Sequence, residues 1–541
     1  MRGAFPLPFF CMQCPILLRL SLPYNELTVH QEGNMRSYII KSAIAATALG
    51  LLFTSFAGCT RKPGNVDNNA VVGITQEPGI FDPHTVVAAG DREIIFNVYE
   101  GLYKYDSKGN LNPCLATDVA ISGDASVYTF TIREGVKFHD GSDLDAADVV
   151  YSLKRAAGLL DSQDGVALVG ELDSIKDVKA TADGKVEVTL EAGNTELLSY
   201  FTTGIIPENY DNCQAAPVGT GPFKFDSYNP GQNVILVKND NYWQKGLPYL
   251  DKVTFKVCAD MDAGLTELAT GSIDIFPYLT TDRANQLDKA KYNILSNGSN
   301  MVQIFALNNA VEPLNNLKVR QAINYAVSRK DVISVTMDGA GVELTTAMSP
   351  AMGSYYDTSL DGTFNQDVEK AKALLAEAGY ENGFNITCTV PSSYLIHVNT
   401  AVELASELKA VGINMEIKQV DWATWLDTVY TGRQYETTVI ALTSDYAPYD
   451  VLDRYQSTAS GNFINYKNDK VDELMAKIPT ISDTKEKTEL YHQVLKLLTD
   501  DACSVYLQDP TTITAVSTRL EGYSVYPMYV QDMSQVKPVT K

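Results

Sequence analysis

Histidine side chains are the first candidates for catalysis or metal binding in this sequence, because imidazole serves both roles near neutral pH. The histidines after residue 59 are widely separated: His84, His139, His397 and His492. They form no H-E-x-x-H or H-x-x-x-H motif. No G-x-S-x-G nucleophile turn occurs, and V-G-T-G-P-F at 218–223 lacks the ending of a phosphate loop. We therefore predict no enzymatic activity, no metal site and no cofactor.

The cysteines of the main chain also lack the spacing of a metal site. They are far apart in the sequence: Cys114, Cys213, Cys258, Cys388 and Cys503. No C-x-x-C pair occurs among them. We expect isolated, buried small residues, and one disulfide remains an open alternative.

Cys59 differs from these cysteines because it directly follows an apolar run. Arg36 and Lys41 give a basic start, residues 43–56 are apolar, and Ala57 and Gly58 are small. These parts are typical of an export signal. The ending F-A-G-C resembles the lipobox of bacterial lipoproteins, which implies lipidation of Cys59 and cleavage before it. The alternative is a membrane anchor or a buried helix, but the run is too short to span about 30 Å of hydrocarbon.

The residues around this signal need a separate explanation. Export signals begin a chain, and we therefore interpret residues 1–34 as an upstream extension that is not translated, 35–58 as the signal peptide and 59–70 as a lipid-anchored tether. The extension contains C-M-Q-C at 11–14, but no second Cys/His pair accompanies it.

The charge balance limits the partners. The chain has 43 Lys and Arg against 66 Asp and Glu, a formal net charge of −23. Phosphate binding needs a basic surface, so this balance argues against nucleic acid as a partner. The length after residue 59 is sufficient for two or three domains.

Strand and helix patterns alternate after the tether. In V-Y-T-F-T-I at 127–132, large apolar side chains alternate with smaller polar ones, which predicts a half-buried strand. Asp145 can cap a helix that continues with apolar residues at helical spacing. Further on, A-K-A-L-L-A-E-A-G at 371–379 predicts a helix ended by glycine, and I-N-M-E-I-K-Q-V at 413–420 predicts a strand. This succession indicates an α/β fold.

Four ordered segments carry a family resemblance. Residues 128–155, YTFTIREGVKFHDGSDLDAADVVYSLKR, resemble the family 5 extracellular solute-binding proteins of bacterial ABC importers. Three further segments agree in order, at 217–243, 317–333 and 371–380. The resemblance covers about residues 71–541. The family includes oligopeptide-, dipeptide- and nickel-binding proteins.

The resemblance implies a class II periplasmic-binding-protein fold, in which two hinged lobes and an extra domain surround the ligand. Lobe I would combine 71–101, 218–302 and 506–541. The extra domain II would span 102–217, and lobe III 303–505. Closure of the lobes on the ligand requires that the ligand bind the closed state better than the open one.

The resemblance also implies ligand-binding residues in lobe III. Asp445 and Tyr446, in T-S-D-Y-A-P, correspond to the segment whose aspartate pairs with the N-terminal ammonium of a bound peptide. The alternative is that Asp445 caps a turn beside Pro448. Trp422, in D-W-A-T-W-L, would form the wall of a side-chain pocket, or else it is a core aromatic residue at helical spacing with Trp425.

Lobe I and the sheet of lobe III supply the remaining candidates. By the family's spacing, Ala88, Ala89 and Gly90 would pair with the peptide backbone in the manner of a strand. Phe305 would close the other side. No arginine of lobe III matches the one that often neutralises the ligand carboxylate in this family, which leaves peptide length and identity open.

The resemblance therefore predicts a lipid-anchored receptor of an ABC importer on the outer face of the membrane. It would capture small peptides and deliver them to permease subunits with their cytoplasmic ATPases, and a monomer is expected. Within the family, the alternative ligands are a nickel chelate, haem, an opine or an oligosaccharide. From other classes, the alternatives are a lipid-anchored hydrolase or a structural surface lipoprotein.

Overall fold

The computed structural model of the 541-residue chain describes residues 68–163, 165–443 and 447–539. The predicted upstream extension, the signal peptide and Cys59 lie outside these described residues, as do Asp445 and Tyr446. In the described part of the chain, no helix combines the length and the apolar character needed to cross a membrane.

The strands of the described residues are spread over the whole chain. Their bounds are β1 Asn69–Ile74, β2 Tyr103–Tyr105, β3 Leu111–Pro113, β4 Ala116–Ile121, β5 Val127–Ile132, β6 Ile175–Ala180, β7 Val186–Leu190, β8 Phe223–Asn229, β9 Asn233–Lys238, β10 Lys252–Val257, β11 Ile275–Leu279, β12 Tyr292–Gly298, β13 Met301–Leu307, β14 Gly341–Glu343, β15 Phe384–Pro391, β16 Ile413–Val420, β17 Thr437–Thr443, β18 Ser504–Ser517, β19 Leu520–Glu521 and β20 Lys537–Pro538.

Helices alternate with these strands, and several short 3-10 turns join them. The α-helices are α1 Ala89–Ile95, α2 Ala146–Ala156, α3 Met261–Thr270, α4 Thr281–Asn285, α5 Leu317–Ala326, α6 Arg329–Met337, α7 Val368–Glu377, α8 Leu395–Lys409, α9 Trp422–Trp425, α10 Pro448–Leu452, α11 Asp469–Lys477 and α12 Thr484–Asp500. A π-helical turn, Leu426–Thr431, directly continues α9.

One mixed sheet organises most of the fold. Its strand order is β16-β15-β17-β13-β18-β11-β1-β10-β9-β8, and β12 and β14 also pair with β18. The central strand β18 is long enough to pair with β13 through its first part and with β11 and β12 through its second part. We call β1 and β8–β12, with the second part of β18, the first half-sheet. We call β13–β17, with the first part of β18, the second half-sheet.

A separate four-stranded antiparallel sheet, in the order β4-β5-β7-β6, lies within residues 116–190. Helix α2 packs on it and closes a core that includes Tyr128, Phe130 and Leu153, all fully buried. We call this sheet with α2 and the 3-10 segment Thr195–Tyr200 the small domain. It falls within the span predicted for the extra domain, although the predicted lobe boundaries stay a prediction.

Local sequence explains the elements that were predicted. The Asp145 side chain accepts the backbone N–H groups of Ala147 and Asp148, and Asp148 reaches back to the Asp145 N–H, which forms a capping box at α2. Helix α7 ends before Gly379, whose φ of +85° favours glycine. The predicted strands at 127–132 and 413–420 are β5 and β16, which confirms the α/β interpretation.

The predicted tether is too long at its C-terminal end. Asn69 and Ala70 already belong to β1, where they pair with Lys252 and Val253 of β10, and Ala70 is fully buried. A strand buried in the sheet core cannot serve as a flexible tether. The five cysteines Cys114, Cys213, Cys258, Cys388 and Cys503 are free and buried, as isolated core residues would be.

Candidate ligand-binding site

The carboxyl ends of parallel strands in the second half-sheet point to a ligand site. Strands β15 and β16 are parallel throughout, and β15 is also parallel to β17. Their carboxyl ends therefore meet at one edge of the sheet, where open α/β sheets bind ligands. Tyr394 follows β15 and Trp422 follows β16 at this edge. The segment with Asp445 follows β17 in sequence, but it lies outside the described residues.

Trp422 is held in place at this edge by its neighbours. Asp421 caps α9 by accepting the N–H and the hydroxyl of Thr424 at 3.0 and 2.6 Å. The Trp422 ring stacks on Trp425 with 5.1 Å between centroids, and Tyr394 meets its edge at 5.3 Å. Trp422 and Tyr394 are 37% and 44% exposed, whereas Trp425 is 2% exposed. The sequence left open whether Trp422 is a pocket wall or a core aromatic residue. In the structure Trp425 is the core residue, and Trp422 is partly exposed at the edge of the sheet.

Tyr278 and Tyr529 are exposed aromatic residues on the side of the first half-sheet. Their rings lie 6.1 Å apart, and the side chains are 38% and 41% exposed. Tyr278 has a φ of +61°, at the point where the register between β11 and β18 shifts. A tyrosine in the left-handed region is strained, and the surrounding structure has to hold it in place.

Glu93 fixes the position of Tyr278. The Tyr278 hydroxyl donates to Glu93, which is 2% exposed, and Gln531 also contacts this carboxyl. Burial raises the pKa of Glu93 to about 7, while these hydrogen bonds oppose the rise. Since its hydroxyl is held by a buried acid, Tyr278 can present its ring without rotating freely.

An electrostatic effect links Tyr529 to the second half-sheet. Burial raises the pKa of Tyr529, and the charges of Glu93 and Tyr394 add to the rise. Tyr394 belongs to the second half-sheet, whereas Tyr529 lies beside the first, so this effect acts between the two sides.

A cavity of about 470 Å³ opens beside Tyr529. Val87 and Phe96, on either side of α1, also line it, together with side chains of the small domain and its flanking segment such as Glu171 and Tyr200. Ala447, directly after the segment of Asp445, lines it from the remaining side. Its volume lies in the range of about 300–1,000 Å³ that is typical of small-molecule sites, and its walls mix apolar with charged groups.

The positions predicted for backbone pairing have a different conformation. Ala88 is extended and precedes α1, but Ala89 and Gly90 form the first turn of this helix. The Ala88 carbonyl accepts the Arg92 N–H at 3.1 Å, and the Gly90 N–H donates to Gln76. The Ala88 carbonyl and the Gly90 N–H thus already have partners within the chain, and strand-type pairing of Ala88, Ala89 and Gly90 with a ligand stays a prediction.

The prediction for Phe305 is wrong. Phe305 lies in β13 between Val439 and Val505 and is fully buried. The second half-sheet is covered on both faces, with Ile304 in one apolar core and Phe305 in the other. A side chain in the core of a central strand cannot contact a ligand in the cleft.

Polar contacts join the small domain to helices beside the second half-sheet, and one of them involves Tyr200, which lines the cavity. Glu196 forms an ion pair with Lys487 of α12 at 2.6 Å and accepts the Tyr491 hydroxyl at 2.6 Å. Next to this pair, the Tyr200 hydroxyl donates to Asp450. Burial raises the pKa of Asp450 to about 7, and the neighbouring carboxylates add to the rise. The small domain is thereby bound to α12 and α10 by buried polar contacts.

The connection between the half-sheets is organised by Asp509 of β18. This carboxylate is 1% exposed and accepts the backbone N–H groups of Ser299, Asn300 and Met301 at 2.9 to 3.2 Å, and the Ser349 hydroxyl at 2.5 Å. The chain passes from the first to the second half-sheet at 298–301, and β18 crosses beside it. Asp509 of β18 therefore holds the connecting segment 298–301 against β18 by hydrogen bonds.

Sequence reasoning did not find Tyr278, Tyr529 or Tyr394, because an exposed tyrosine has no distinctive sequence pattern. A signal was present for Lys104. In E-G-L-Y-K-Y-D, Tyr103 and Tyr105 alternate with Lys104, which indicates a strand whose lysine points away from the buried tyrosines. The structure places these residues in β2, and Lys104 lines the cavity.

Sequence comparison finds relatives of the same overall length. The oligopeptide-binding protein AppA of Bacillus subtilis (strain 168) is 29% identical over 460 residues, which covers 80% of this chain and 84% of AppA. The glutathione-binding protein GsiB of Escherichia coli (strain K12) is 28% identical over 449 residues, 79% of this chain and 86% of GsiB.

Solved structures agree with these relatives. HbpA2 from Haemophilus parasuis has a TM-score of 0.80 at 25% identity and covers 87% of this chain and 100% of its own. AppA from Bacillus subtilis in complex with a nonapeptide has a TM-score of 0.66 at 26% identity, covering 87% and 99%. AgaA in complex with agropinic acid, from A. tumefacien R10, has a TM-score of 0.66 at 28% identity, with the same coverage.

The model of the family described as "Bacterial extracellular solute-binding proteins, family 5 Middle" matches residues 110–463, well over half of the chain. The matched segment contains the small domain, Tyr394 and Trp422, and the similar structures share the multi-domain fold of periplasmic binding proteins. The chain belongs to family 5 of the bacterial extracellular solute-binding proteins.

Proposed function

We propose that this protein is the lipid-anchored receptor of an ABC importer and captures small peptides by closure of two lobes. The observation that supports this most directly is the cavity beside the small domain, which is lined by aromatic side chains such as Phe96, Tyr200 and Tyr529. Aromatic rings offer large contact areas at low conformational-entropy cost, and they accommodate many side chains. That property suits a receptor that accepts peptides of varied sequence.

The proposed closure moves the half-sheets about the segment held by Asp509. Lobe I would consist of 71–101, 218–302 and 506–541, domain II of 102–217, and lobe III of 303–505. Because a ligand shifts the equilibrium only through its preference for one state, the peptide has to contact both sides of the cleft. Tyr278 and Tyr529 would contact it from lobe I, and Tyr394 and Trp422 from lobe III.

A peptide ligand also gives a role to Asp445 and Tyr446. The Asp445 carboxylate would pair with the ligand's N-terminal ammonium, since a buried ammonium needs a charged partner. The relatives AppA and GsiB are named as oligopeptide-binding and glutathione-binding proteins, which supports a peptide as the ligand class. We propose that the protein performs no reaction on the ligand and passes it to permease subunits.

One finding favours a second ligand class. AgaA, which holds agropinic acid in its solved structure, resembles this chain as closely as the nonapeptide complex of AppA does. An opine-like ligand would use the same aromatic walls. It lacks the free N-terminal ammonium of a peptide, so the two classes differ in their need for Asp445.

Native mass spectrometry on the chain from residue 60 onward, purified from its own host, tests the ligand class directly. Copurified masses that fragment into peptide series would support the peptide proposal. A single non-peptide mass with the properties of an opine would support the alternative.

Binding of one tripeptide and of its N-acetylated form, measured by calorimetry, tests the role of Asp445. Acetylation and Asp445→Ala should each weaken binding on the order of 100-fold, because either change leaves a buried group without its partner. Changes below about threefold would show that Asp445 only supports a turn.

Closure is tested by small-angle scattering. The radius of gyration should decrease when tri-alanine is added, because the half-sheets approach each other. The free protein of an Asp509→Ala variant should show a larger radius of gyration or a broader distribution of distances, since the connecting segments lose their shared acceptor. If the tripeptide binds and the radius stays the same, the protein binds without closure.

A further inference from the structure

Lys104 is one of the charged side chains that line the cavity, with Arg92, Glu100 and Glu171, and the proposed function does not yet use it. It lies in β2 and pairs through its backbone with Asn112 of β3. Tyr103 and Tyr105 on either side are buried, whereas Lys104 is half-buried and lines the cavity. Its ammonium lies 4.2 Å from the centroid of the Phe96 ring. The apolar stem and the ring thus hold the charge at the cavity wall.

Among the described residues, the Phe96 ring is the direct contact of this ammonium. Neither a hydrogen-bond acceptor nor a carboxylate within 4 Å contacts it in that part of the chain. The nearest acidic groups are otherwise engaged. Glu100 accepts from Thr220, Tyr242 and Trp243 at 2.7 to 3.0 Å.

Asp532 is the second acidic group near Lys104. It accepts the Tyr526 hydroxyl and the Ser534 N–H, both at 2.9 Å. Burial lowers the pKa of Lys104, but the charges of Asp532 and Glu100 outweigh burial, so that its pKa lies above the usual value. The lysine therefore remains protonated at neutral pH.

The charges of Asp532 and Glu100 offset the burial of this amine from a distance, but neither carboxylate lies within contact distance of it. Closure removes more water from the N–H donors of Lys104, which makes an acceptor on the ligand more favourable. A ligand carboxylate would satisfy up to three N–H donors, and no described protein group competes for them at contact distance. The location is also suitable, because Ala447, which follows Asp445 in the chain, lines the same cavity as Lys104.

We infer that Lys104 is the group that binds the carboxylate of the ligand and that the substrate class is a peptide with a free C-terminus. This inference rests on the proposed peptide-binding function. It assigns to β2 the neutralising role for which lobe III offers no matching arginine. It also predicts selectivity against amidated peptides, since an amide would leave the Lys104 charge unpaired.

Calorimetry with tri-alanine and with tri-alanine amide tests the inference on the wild type, Lys104→Met and Lys104→Arg. Lys104→Met removes the charge and keeps the apolar stem. It should weaken tri-alanine binding by about 30-fold or more. Binding of the amide should not weaken, because the amide gains no charge pair from Lys104, and Lys104→Arg should retain most of the affinity for the acid.

Lys108→Met serves as a matched control. Lys108 is exposed in the turn of the same β2–β3 hairpin, and its loss changes the net charge equally. It should leave the affinity for tri-alanine unchanged. If Lys104→Met and Lys108→Met lose affinity for tri-alanine to the same extent, the effect comes from net charge in general, and the inference is overturned.

Retained amide binding by Lys104→Met shows that the variant is folded and that a weaker affinity for the acid is specific. If Lys104→Met weakens acid and amide equally, or changes acid binding less than threefold, Lys104 does not bind the carboxylate.

Failure of the peptide proposal is distinguishable from failure of this inference. If the wild type binds neither tripeptide form, the peptide proposal has failed, and a panel of non-peptide carboxylates with their amides tests Lys104 on the same three proteins. Carboxylate binding that depends on Lys104 would support the anion site. Absence of any such dependence in both panels would overturn it.

Discussion

Lys487 in α12 offers a quantitative test of the contact between the small domain and the second half-sheet. Its ammonium lies 2.6 Å from Glu196 and donates to the Thr195 hydroxyl at 2.8 Å. The side chains of Lys487 and Glu196 are only 11% and 7% exposed. The other Glu196 oxygen accepts the Tyr491 hydroxyl. Substitution of Lys487 by methionine keeps the apolar stem and removes the charge.

The burial of the pair sets the expected magnitude. Removing one partner of a buried ion pair leaves the other charge desolvated and costs about 3–5 kcal/mol. The exposed pair Lys470–Glu473 provides the contrast, since its side chains are 51% and 68% exposed and its separation is 2.7 Å. Exposed pairs contribute about 0–1 kcal/mol, so Lys470→Met should change the free energy of unfolding by less than about 1 kcal/mol.

Urea unfolding, followed by fluorescence and circular dichroism, measures this difference. Lys487→Met should lower the free energy of unfolding by several kcal/mol, whereas Lys470→Met should not. Glu196→Gln retains an acceptor for Tyr491, and the double variant Glu196→Gln/Lys487→Met should recover part of the loss, because no unpaired charge remains. The coupling free energy between the two positions isolates the pair from other effects.

The reasoning fails if Lys487→Met and Lys470→Met have equal effects, or if the effects at Lys487 and Glu196 simply add. Equal effects would mean that water reaches the pair and that the small domain is not bound to α12 by a buried contact. If the protein unfolds in two steps, the two steps correspond to the small domain and the large sheet. The loss of stability caused by Lys487→Met should then appear in the step in which the small domain separates from the large sheet.

Three further predictions concern the stacked tryptophans, the acid next to the small domain and the lipid anchor. Trp425→Ala should lower the free energy of unfolding, measured in urea titrations, by about 3–5 kcal/mol. Trp422→Ala should mainly weaken ligand binding, measured by calorimetry. Equal losses of stability in the two variants would contradict the difference in burial between the two tryptophans. Because the pKa of Asp450 is raised to about 7 in the folded protein, its contribution to stability is complete below its unfolded pKa and is lost as pH rises through about 7. Asp450→Asn should therefore raise the denaturation midpoint over wild type at pH 8 and not at pH 4, and an equal change at both pH values would contradict the assignment. Cys59→Ser should abolish lipidation and signal cleavage, and a variant that still partitions into detergent and matures would refute the lipobox interpretation.

Local patterns made several elements of the fold predictable. Strand β5 is visible as a strict alternation of side chains, and the capping box of Asp145 and Asp148 marks the start of α2. The order of strands in the large sheet was not predictable from such patterns. Pairing of β1 with β10, or of β13 with β18, joins segments that are about 180 to 200 residues apart, and no local signal specifies these partners.

The candidate site was only partly predictable for the same reason. Trp422 was predicted because it lies in a recognisable motif. The sequence could not decide whether Trp422 is a pocket wall or, like Trp425, a core aromatic residue. That choice depends on which indole contacts Thr438, and the structure shows that Trp425 makes the contact at 2.9 Å. Phe305 was misjudged, because a strand buried on both faces has the same apolar composition as the wall of a pocket.

The position of β18 in the sequence has a consequence for biogenesis. This strand, Ser504–Ser517, is the central strand of the large sheet and pairs with partners from both half-sheets, yet it follows all of these partners in the sequence. Neither half-sheet can be completed before the chain has been made as far as β18, since their shared strand is still missing. Contacts at such long range also form slowly. We expect the nascent chain to stay open until β18 has been made. A chain that carries the signal peptide predicted at 35–58 could pass through a narrow export channel in this form and fold on the far side.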